Sequence, residues 1–234
     1  MRGSDPRTAG ERATDLRAEY FAMRPLGASP EADPIGLMTW KRSAKPGGSV
    51  LESELLFGEG ESWVLHTENM AQAKPRLVWR ELGTYGRTWL AEWTPSSGLL
   101  ESMEFGAAKD VHGEQRVGEV RFPLNLVETC RTNDFGPETF TLVAPTGAGT
   151  VEARLVLHQD LPHDLPDWSQ RGADPEGRRW VELLTQEGVQ LASYLFEGED
   201  LVGLQWGAGT PWALPVDADT YEAAASAWRV AQGR

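Results

Sequence analysis

The chain has 234 residues, of which 40% are hydrophobic and 24% are charged, a composition typical of a soluble globular protein. Asp and Glu outnumber Lys and Arg by 35 to 22, which gives a formal net charge of −13 and disfavours nucleic acid as a partner. The single cysteine excludes an internal disulfide framework, and no apolar run is long enough to predict a transmembrane segment.

The N-terminal part of the chain is predicted to lie outside the main domain. Its first residues are polar and charged, without the apolar segment of a signal peptide. Residues 14–23 are expected to form a short helix, because Leu16, Tyr20 and Met23 follow helical spacing. With the Pro- and Gly-rich connector that follows, residues 1–34 are predicted to be a tail, a helix and a linker. A native N-terminus of this kind predicts a cytoplasmic protein, whereas a trimmed signal peptide would predict a periplasmic or extracellular one.

Residues 35–210 are predicted to form one β-rich domain of antiparallel strands. Short runs alternate apolar with polar residues between turn-forming residues, a pattern typical of antiparallel sheets with one buried face. The predicted strands cover residues 36–42, 49–57, 62–67, 77–82, 87–93, 99–105, 115–122, 139–143, 150–158, 179–184, 189–196 and 200–206. A short helix is expected at 123–131, where Pro123 suits the first helical position. A last helix is expected in the C-terminal segment 211–234, beginning near residue 219.

A self-match within the chain predicts a duplicated β-meander. When residues 79–106 are aligned without gaps on residues 180–207, eight of the 28 positions are identical. We therefore expect two related antiparallel meanders, over about residues 50–106 and 140–207, that form a curved sheet, a sandwich or a barrel. The predicted fold class is mainly β, of the α+β kind, with short helices near the N-terminus, in the middle and at the C-terminus.

Tryptophan is unusually frequent, with ten residues against seven Phe and four Tyr. Trp89 and Trp93 fall on one face of a predicted strand, and Trp79 and Trp180 are equivalent in the self-match. A curved antiparallel sheet lined with aromatic side chains can hold an apolar ligand, in an architecture similar to that of lipocalins and lipoprotein carriers. The sequence favours a packing role for these side chains, and the alternative is a ligand-binding role for five of them, Trp79, Trp89, Trp93, Trp180 and Trp206.

The densest polar segment is HQDLPHDLPDW, residues 158–168. Its imidazole and carboxylate groups are donors that zinc and similar divalent cations prefer, and the candidate ligands are His158, Asp160, His163 and Asp164. Their spacing resembles the metal-binding loop of the metallo-β-lactamase-like hydrolases, which implies a metal-dependent hydrolase. The loop departs from that family in carrying Asp160 at the place of a second His, and Pro162 within the motif. The alternative interpretation is an acidic, Pro-rich surface loop.

Two functions of different classes follow from these features. The first is a non-enzymatic protein that binds an apolar small molecule or a protein partner on its Trp-rich sheet face, without a cofactor. The second is a hydrolase that uses a divalent cation such as zinc, and the low number of histidines, four, favours the first. Two weaker catalytic candidates are a carboxylate pair of Glu81 and Glu182 and a nucleophile at Cys130. Cys130 is predicted instead to be a small buried hydrophobic residue.

Overall fold

The computed structural model describes residues 16–57, 61–70, 74–81, 86–106, 111–132, 135, 138–143, 149–165 and 177–232. Within these residues, fifteen strands form one sheet, and two α-helices pack against it. The strands are β1 Leu16–Met23, β2 Gly36–Lys45, β3 Gly48–Phe57, β4 Glu61–Met70, β5 Arg76–Glu81, β6 Thr88–Thr94, β7 Leu99–Phe105, β8 Val111–Arg116, β9 Val120–Arg121, β10 Phe140–Val143, β11 Thr150–His158, β12 Arg178–Thr185, β13 Gln190–Glu197, β14 Asp200–Gln205 and β15 Ala213–Val216. The helices are α1 Pro123–Thr132 and α2 Ala218–Ala231.

The strand order across the sheet is β8-β7-β6-β5-β4-β3-β2-β1-β15-β14-β13-β12-β11-β10-β9. Neighbouring strands are antiparallel except β9 and β10, which run parallel and are connected through α1. Most neighbours therefore follow one another along the chain, as in a meander, and the pairing of β1 with β15 joins the two halves. The predicted fold class, a mainly β protein built on a curved antiparallel sheet, is confirmed.

The sheet curves around α1. The helix contacts β3 and β4 on one side and β13 and β14 on the other, although three strands, β2, β1 and β15, separate these pairs in the sheet. Its apolar side chains are buried among residues of the inner face of the sheet, and they include Leu124, Leu126, Val127 and Cys130. The helix thus fills the concave side of the sheet.

The two ends of the sheet meet through side chains rather than through a strand pair. Leu77, Ala91 and Leu100, from β5 to β7, pack in one cluster with Val120 of β9 and Val143 of β10. Because β8 and β9 are the first and last strands and are not paired with each other, the sheet is barrel-like without being closed.

The outer face of the sheet is covered by α2. Tyr221 and Ala225 of this helix are buried against Ala22, Leu37 and Leu56 of β1, β2 and β3. Both faces of β1 to β3 are therefore buried, one by the interior around α1 and the other by α2. No helix within the described ranges is long and apolar enough to span a membrane.

The helix expected over residues 14–23 is wrong, because the described part of that segment forms β1. Phe21 and Ala22 are both almost fully buried, on opposite faces of the strand. The apolar residues of this segment therefore serve a strand that is buried on both faces, and they do not form the apolar face of a helix. The strand is paired along its whole length with β2 and along half of it with β15. The helices expected in the middle and at the C-terminus are present as α1 and α2.

The two meanders expected from the self-match occupy corresponding places in the strand order. β4 to β7 and β11 to β14 are each four successive neighbours, and both run in the same direction through the sheet. Their pairing registers differ, however, because Trp79 pairs with Trp89, whereas Trp180 pairs with Leu195 rather than with Gln190, the residue aligned with Trp89. The two meanders share their strand order but not their pairing register, so the duplication remains a prediction.

Candidate functional site

An apolar cavity of about 310 Å³ lies between α1 and the inner face of the sheet. Its walls come from α1, β2 and the strands β10 to β14, and the lining residues are Met38, Pro123, Leu124, Val127, Leu142, Val151, Leu183, Leu191, Ala192, Tyr194, Leu204 and Trp206. No described lining residue carries a charge. Small-molecule sites in proteins occupy roughly 300–1,000 Å³, so this cavity is at the small end of that range.

Helical spacing explains which residues of α1 face the cavity. Pro123 and Leu124 lie four and three positions before Val127, so both are on the same side of the helix as Val127. Leu126 and Cys130 form a neighbouring stripe that is fully buried in the core. The first turns of α1 thus cover the cavity, and the rest of the helix anchors it.

Strand alternation brings the opposite wall together. Ala192 and Tyr194 are two positions apart on β13 and share the inner face with Leu183 of β12. Leu183 and Ala192 are direct cross-strand partners, so a large side chain stands beside one of the smallest. Because Ala192 fills little space, volume is left between this pair and the helix.

The polar side-chain groups in the lining are the Tyr194 hydroxyl and the Trp206 indole N–H. Burial raises the pKa of Tyr194 above its ordinary value, and the nearby Cys130 raises it further. Burial also raises the pKa of the Cys130 thiol to about 12, against a partial lowering by the charges of Arg179 and Arg121. Both groups are therefore neutral at physiological pH.

The C-terminal half of α1 is fixed to the sheet by Arg131. Its two Nη atoms donate to the carboxylate oxygens of Glu19 on β1 at 3.2 and 2.8 Å, and its Nε donates to Glu128 at 3.0 Å. The guanidinium also lies over the ring of Trp40, 4.9 Å from the centroid, in a cation–π contact. These contacts hold the helix in one position over the cavity.

Arg179 on β12 binds the end of the same helix. It donates to the backbone carbonyl of Cys130 at 3.1 Å and to that of Gly198, in the turn between β13 and β14, at 2.7 Å. The last carbonyls of a helix lack intrahelical partners and carry partial negative charge, so a cation is favourable there. The helix that covers the cavity is therefore tied to both halves of the sheet.

The structure brings one of the five predicted tryptophans, Trp206, to the cavity. Trp89 and Trp93 are partly buried and pack against the interior clusters elsewhere along the sheet. Trp180 packs on the outer face, in a cluster with Leu195 and Trp212. Trp79 lies on β5, and its side chain lies outside the described part of the chain.

The structure does not bring together the four metal ligands predicted in the segment 158–168. His158 Nε2 lies 2.6 Å from Glu182 Oε2, and its ring stacks on Trp180 at a centroid distance of 4.0 Å. Asp164 accepts a hydrogen bond from Gln205 at 2.7 Å. Within residues 158–165 and the rest of the described chain, no three His, Cys, Asp or Glu side chains form a group that could hold a metal ion.

Apolar packing explains the conformation of this loop. Leu161 and Leu165 cover the outer-face cluster that contains Trp180, Trp212 and Leu214. His163 and Asp160 are exposed to solvent instead of converging. Residues 166–168 of the segment lie outside the described residues. The described part of the loop serves as a cover for the sheet.

The two weaker catalytic candidates are the carboxylate pair of Glu81 and Glu182 and the thiol of Cys130. Glu182 Oε2 lies 2.6 Å from His158 Nε2, and the side chain of Glu81 lies outside the described residues. Cys130 is fully buried, as predicted, in the core beside Tyr194. Its raised pKa makes it a poor nucleophile, because the thiolate is the reactive form.

Sequence reasoning missed most of the cavity lining. Leu142, Leu183 and Ala192 have the alternating apolar pattern of ordinary core residues, so their sequence carries no sign of unfilled volume. One residue could have drawn attention to the cavity. Tyr194 carries a polar hydroxyl, although it lies on the inner face of β13 between the apolar residues Ala192 and Phe196.

No protein-family model matches the chain, and no curated protein sequence matches it. Among solved structures, it is similar to a β-barrel-like protein of the domain of unknown function DUF1849 from Brucella abortus. The TM-score is 0.53 and the sequence identity is 11%, and the likeness covers 86% of this chain and 95% of that chain. A likeness at this identity concerns the fold, so the chain shares a barrel-like β architecture with that protein.

Proposed function

We propose that this protein is a non-catalytic binding protein that holds an apolar small molecule in the cavity under α1. The observation that supports the proposal is the cavity itself, with its volume of about 310 Å³ and its lining of apolar and aromatic side chains. Largely preformed, mostly apolar concavities with a few polar groups are the usual sites for such ligands. This function requires neither a metal nor a cofactor.

The fixed position of α1 supports the proposal energetically. Arg131 and Arg179 tie the helix to β1, β12 and the turn between β13 and β14, so the wall of the cavity is already in place before a ligand enters. A preformed site binds more tightly than one that must be ordered on binding, because the cost in conformational entropy is smaller. Burial of the apolar ligand surface then provides the driving force.

A neutral fluorescent dye, N-phenyl-1-naphthylamine, tests the proposal. Its emission rises when it enters an apolar site, so titration is expected to give saturable binding of one dye per chain. Val151 lines the cavity from β11, and Val151→Phe should weaken dye binding at least tenfold by filling that space. Val189→Phe is the matched control, because Val189 is 59% exposed in the turn between β12 and β13.

Two results would overturn the proposal. The first is the absence of saturable dye binding by a protein whose folded state is verified by near-ultraviolet circular dichroism. The second is equal loss of affinity in the Val151→Phe and Val189→Phe variants, since binding would then take place outside the cavity under α1.

A further inference from the structure

We infer that the cavity under α1 selects uncharged ligands, namely apolar chains or rings that end in a neutral oxygen, over carboxylates of the same length. This inference rests on the proposed binding function and adds the chemical class of the ligand. It rests on three features of the cavity, which are the absence of charge among its described lining residues, the two polar groups that those residues carry and its volume.

The lining offers no counter-charge for an anion. The described residues around the cavity include neither Lys, Arg nor His. Arg131, which follows the cavity-lining part of α1, makes hydrogen bonds to the carboxylates of Glu19 and Glu128. A carboxylate that enters the cavity would leave water without gaining an ionic partner, which is strongly unfavourable.

The two polar groups fit a neutral oxygen. The Tyr194 hydroxyl can donate or accept a hydrogen bond, and the Trp206 indole N–H can donate one. Tyr194 stays protonated because burial raises its pKa, so it remains a neutral donor under ordinary conditions. An alcohol or ester oxygen can be satisfied by these groups, and it loses less hydration than a carboxylate does.

The volume sets the length of the ligand. A water molecule takes up about 30 Å³ of the liquid, so 310 Å³ has room for about ten groups of that size. A ten-carbon chain is therefore a suitable probe. The matched set is 1-decanol, methyl decanoate and decanoate, which share a ten-carbon chain and of which only decanoate carries a charge at its polar end.

The experiment measures how each of the three compounds displaces N-phenyl-1-naphthylamine at pH 8, where decanoate is ionised. Decanol and methyl decanoate are expected to compete at least tenfold more strongly than decanoate. Comparable competition by decanoate would overturn the inference and leave the proposed function intact. Absence of dye binding by the unmodified protein would instead overturn the proposed function itself.

A second variant tests the role of Tyr194. Tyr194→Phe removes the hydroxyl and keeps the ring, so the affinity for decanol should fall by threefold or more, while the affinity for the dye changes less than twofold. An equal decrease for both compounds would show that Tyr194 acts through packing alone and would overturn its part in selecting the oxygen.

Discussion

Arg131 on α1 and Glu19 on β1 form a bidentate ion pair inside the curved sheet. Two Nη atoms of Arg131 reach the two carboxylate oxygens of Glu19 at 3.2 and 2.8 Å. The side chains are 6% and 16% exposed, so the pair is largely shielded from water. It joins the helix that covers the cavity to the strand that joins the two halves of the sheet.

Removal of one partner of this pair should be strongly destabilising. Arg131→Ala is expected to lower the free energy of unfolding by ~2–3 kcal/mol, because Glu19 would lose its bidentate partner and keep only Arg17, whose Nη2 lies 3.0 Å from Glu19 Oε1. Urea denaturation measures the change. The control is Arg42→Ala, whose side chain is 36% exposed in its pair with Glu128 and should contribute no more than about 1 kcal/mol. Equal effects of the two substitutions would contradict the special role of the Arg131 pair.

The buried Cys130 thiol makes stability depend on alkaline pH. Its pKa is raised from 9.0 to about 12 by burial, so the unfolded chain ionises this thiol at a lower pH than the folded chain does. The corresponding stability is fully present below pH 9 and is lost between pH 9 and pH 12, by up to ~1.4 kcal/mol per pH unit. Urea denaturation from pH 8 to pH 11 should show a steeper decline for the unmodified protein than for Cys130→Ala. Parallel declines would argue against a protected thiol.

Gly203 on β14 is close to Trp212 on the outer face. A Cβ atom at this position would lie 3.2 Å from Trp212 Cε3 and 3.3 Å from Leu195 Cβ. Gly203→Ala should therefore displace the indole and reduce stability by ~1–3 kcal/mol, as overpacked cores do. Gly118→Ala is the control, because a Cβ atom there meets nothing within 4 Å. Thermal unfolding compares the two variants, and an unchanged midpoint in Gly203→Ala would contradict the packing at Trp212.

Asp217 begins α2 as its N-cap. Its carboxylate accepts hydrogen bonds from the Thr220 backbone N–H at 2.7 Å and from the Thr220 hydroxyl at 2.8 Å, and these bonds lower its pKa. Because the folded-state pKa is lower than that of the unfolded chain, the cap stabilises the protein above the unfolded pKa and loses this effect as the pH falls through the folded one. Asp217→Ala should lower the melting temperature at pH 7, and the difference should shrink in acid. Asp219→Ala, which alters a carboxylate in the first turn, is the control.

Local pattern was sufficient for most of the secondary structure. Alternating residues such as Val151, Ala153 and Leu155 predict a strand with one inner face, and β11 has that arrangement. Pro123 and the apolar spacing after it predict α1, and the sequence also predicts α2, although it places the cap near residue 219 and the structure places it at Asp217. These features depend on residues within a few positions of each other, so the sequence alone shows them.

The candidate site depended on contacts between distant segments. Trp89, Trp93 and Trp180 pack against clusters away from the cavity, which is formed where Ala192 pairs with Leu183 under α1. A small residue creates space only when its neighbours across the sheet and on the helix are known. Position along the chain therefore carried little information about the cavity.

By itself, the sequence determined a mainly β protein with a formal net charge of −13, a buried cysteine and both of the helices that the described residues form. Tertiary structure alone decided that residues 16–23 form a strand, since their helical spacing is overridden by pairing with β2 and with β15, far away in the sequence. It also decided that α1 lies inside the curve of the sheet and leaves a cavity there. The physical reason is that pairing and unfilled volume arise from non-local contacts, which local residue patterns do not encode.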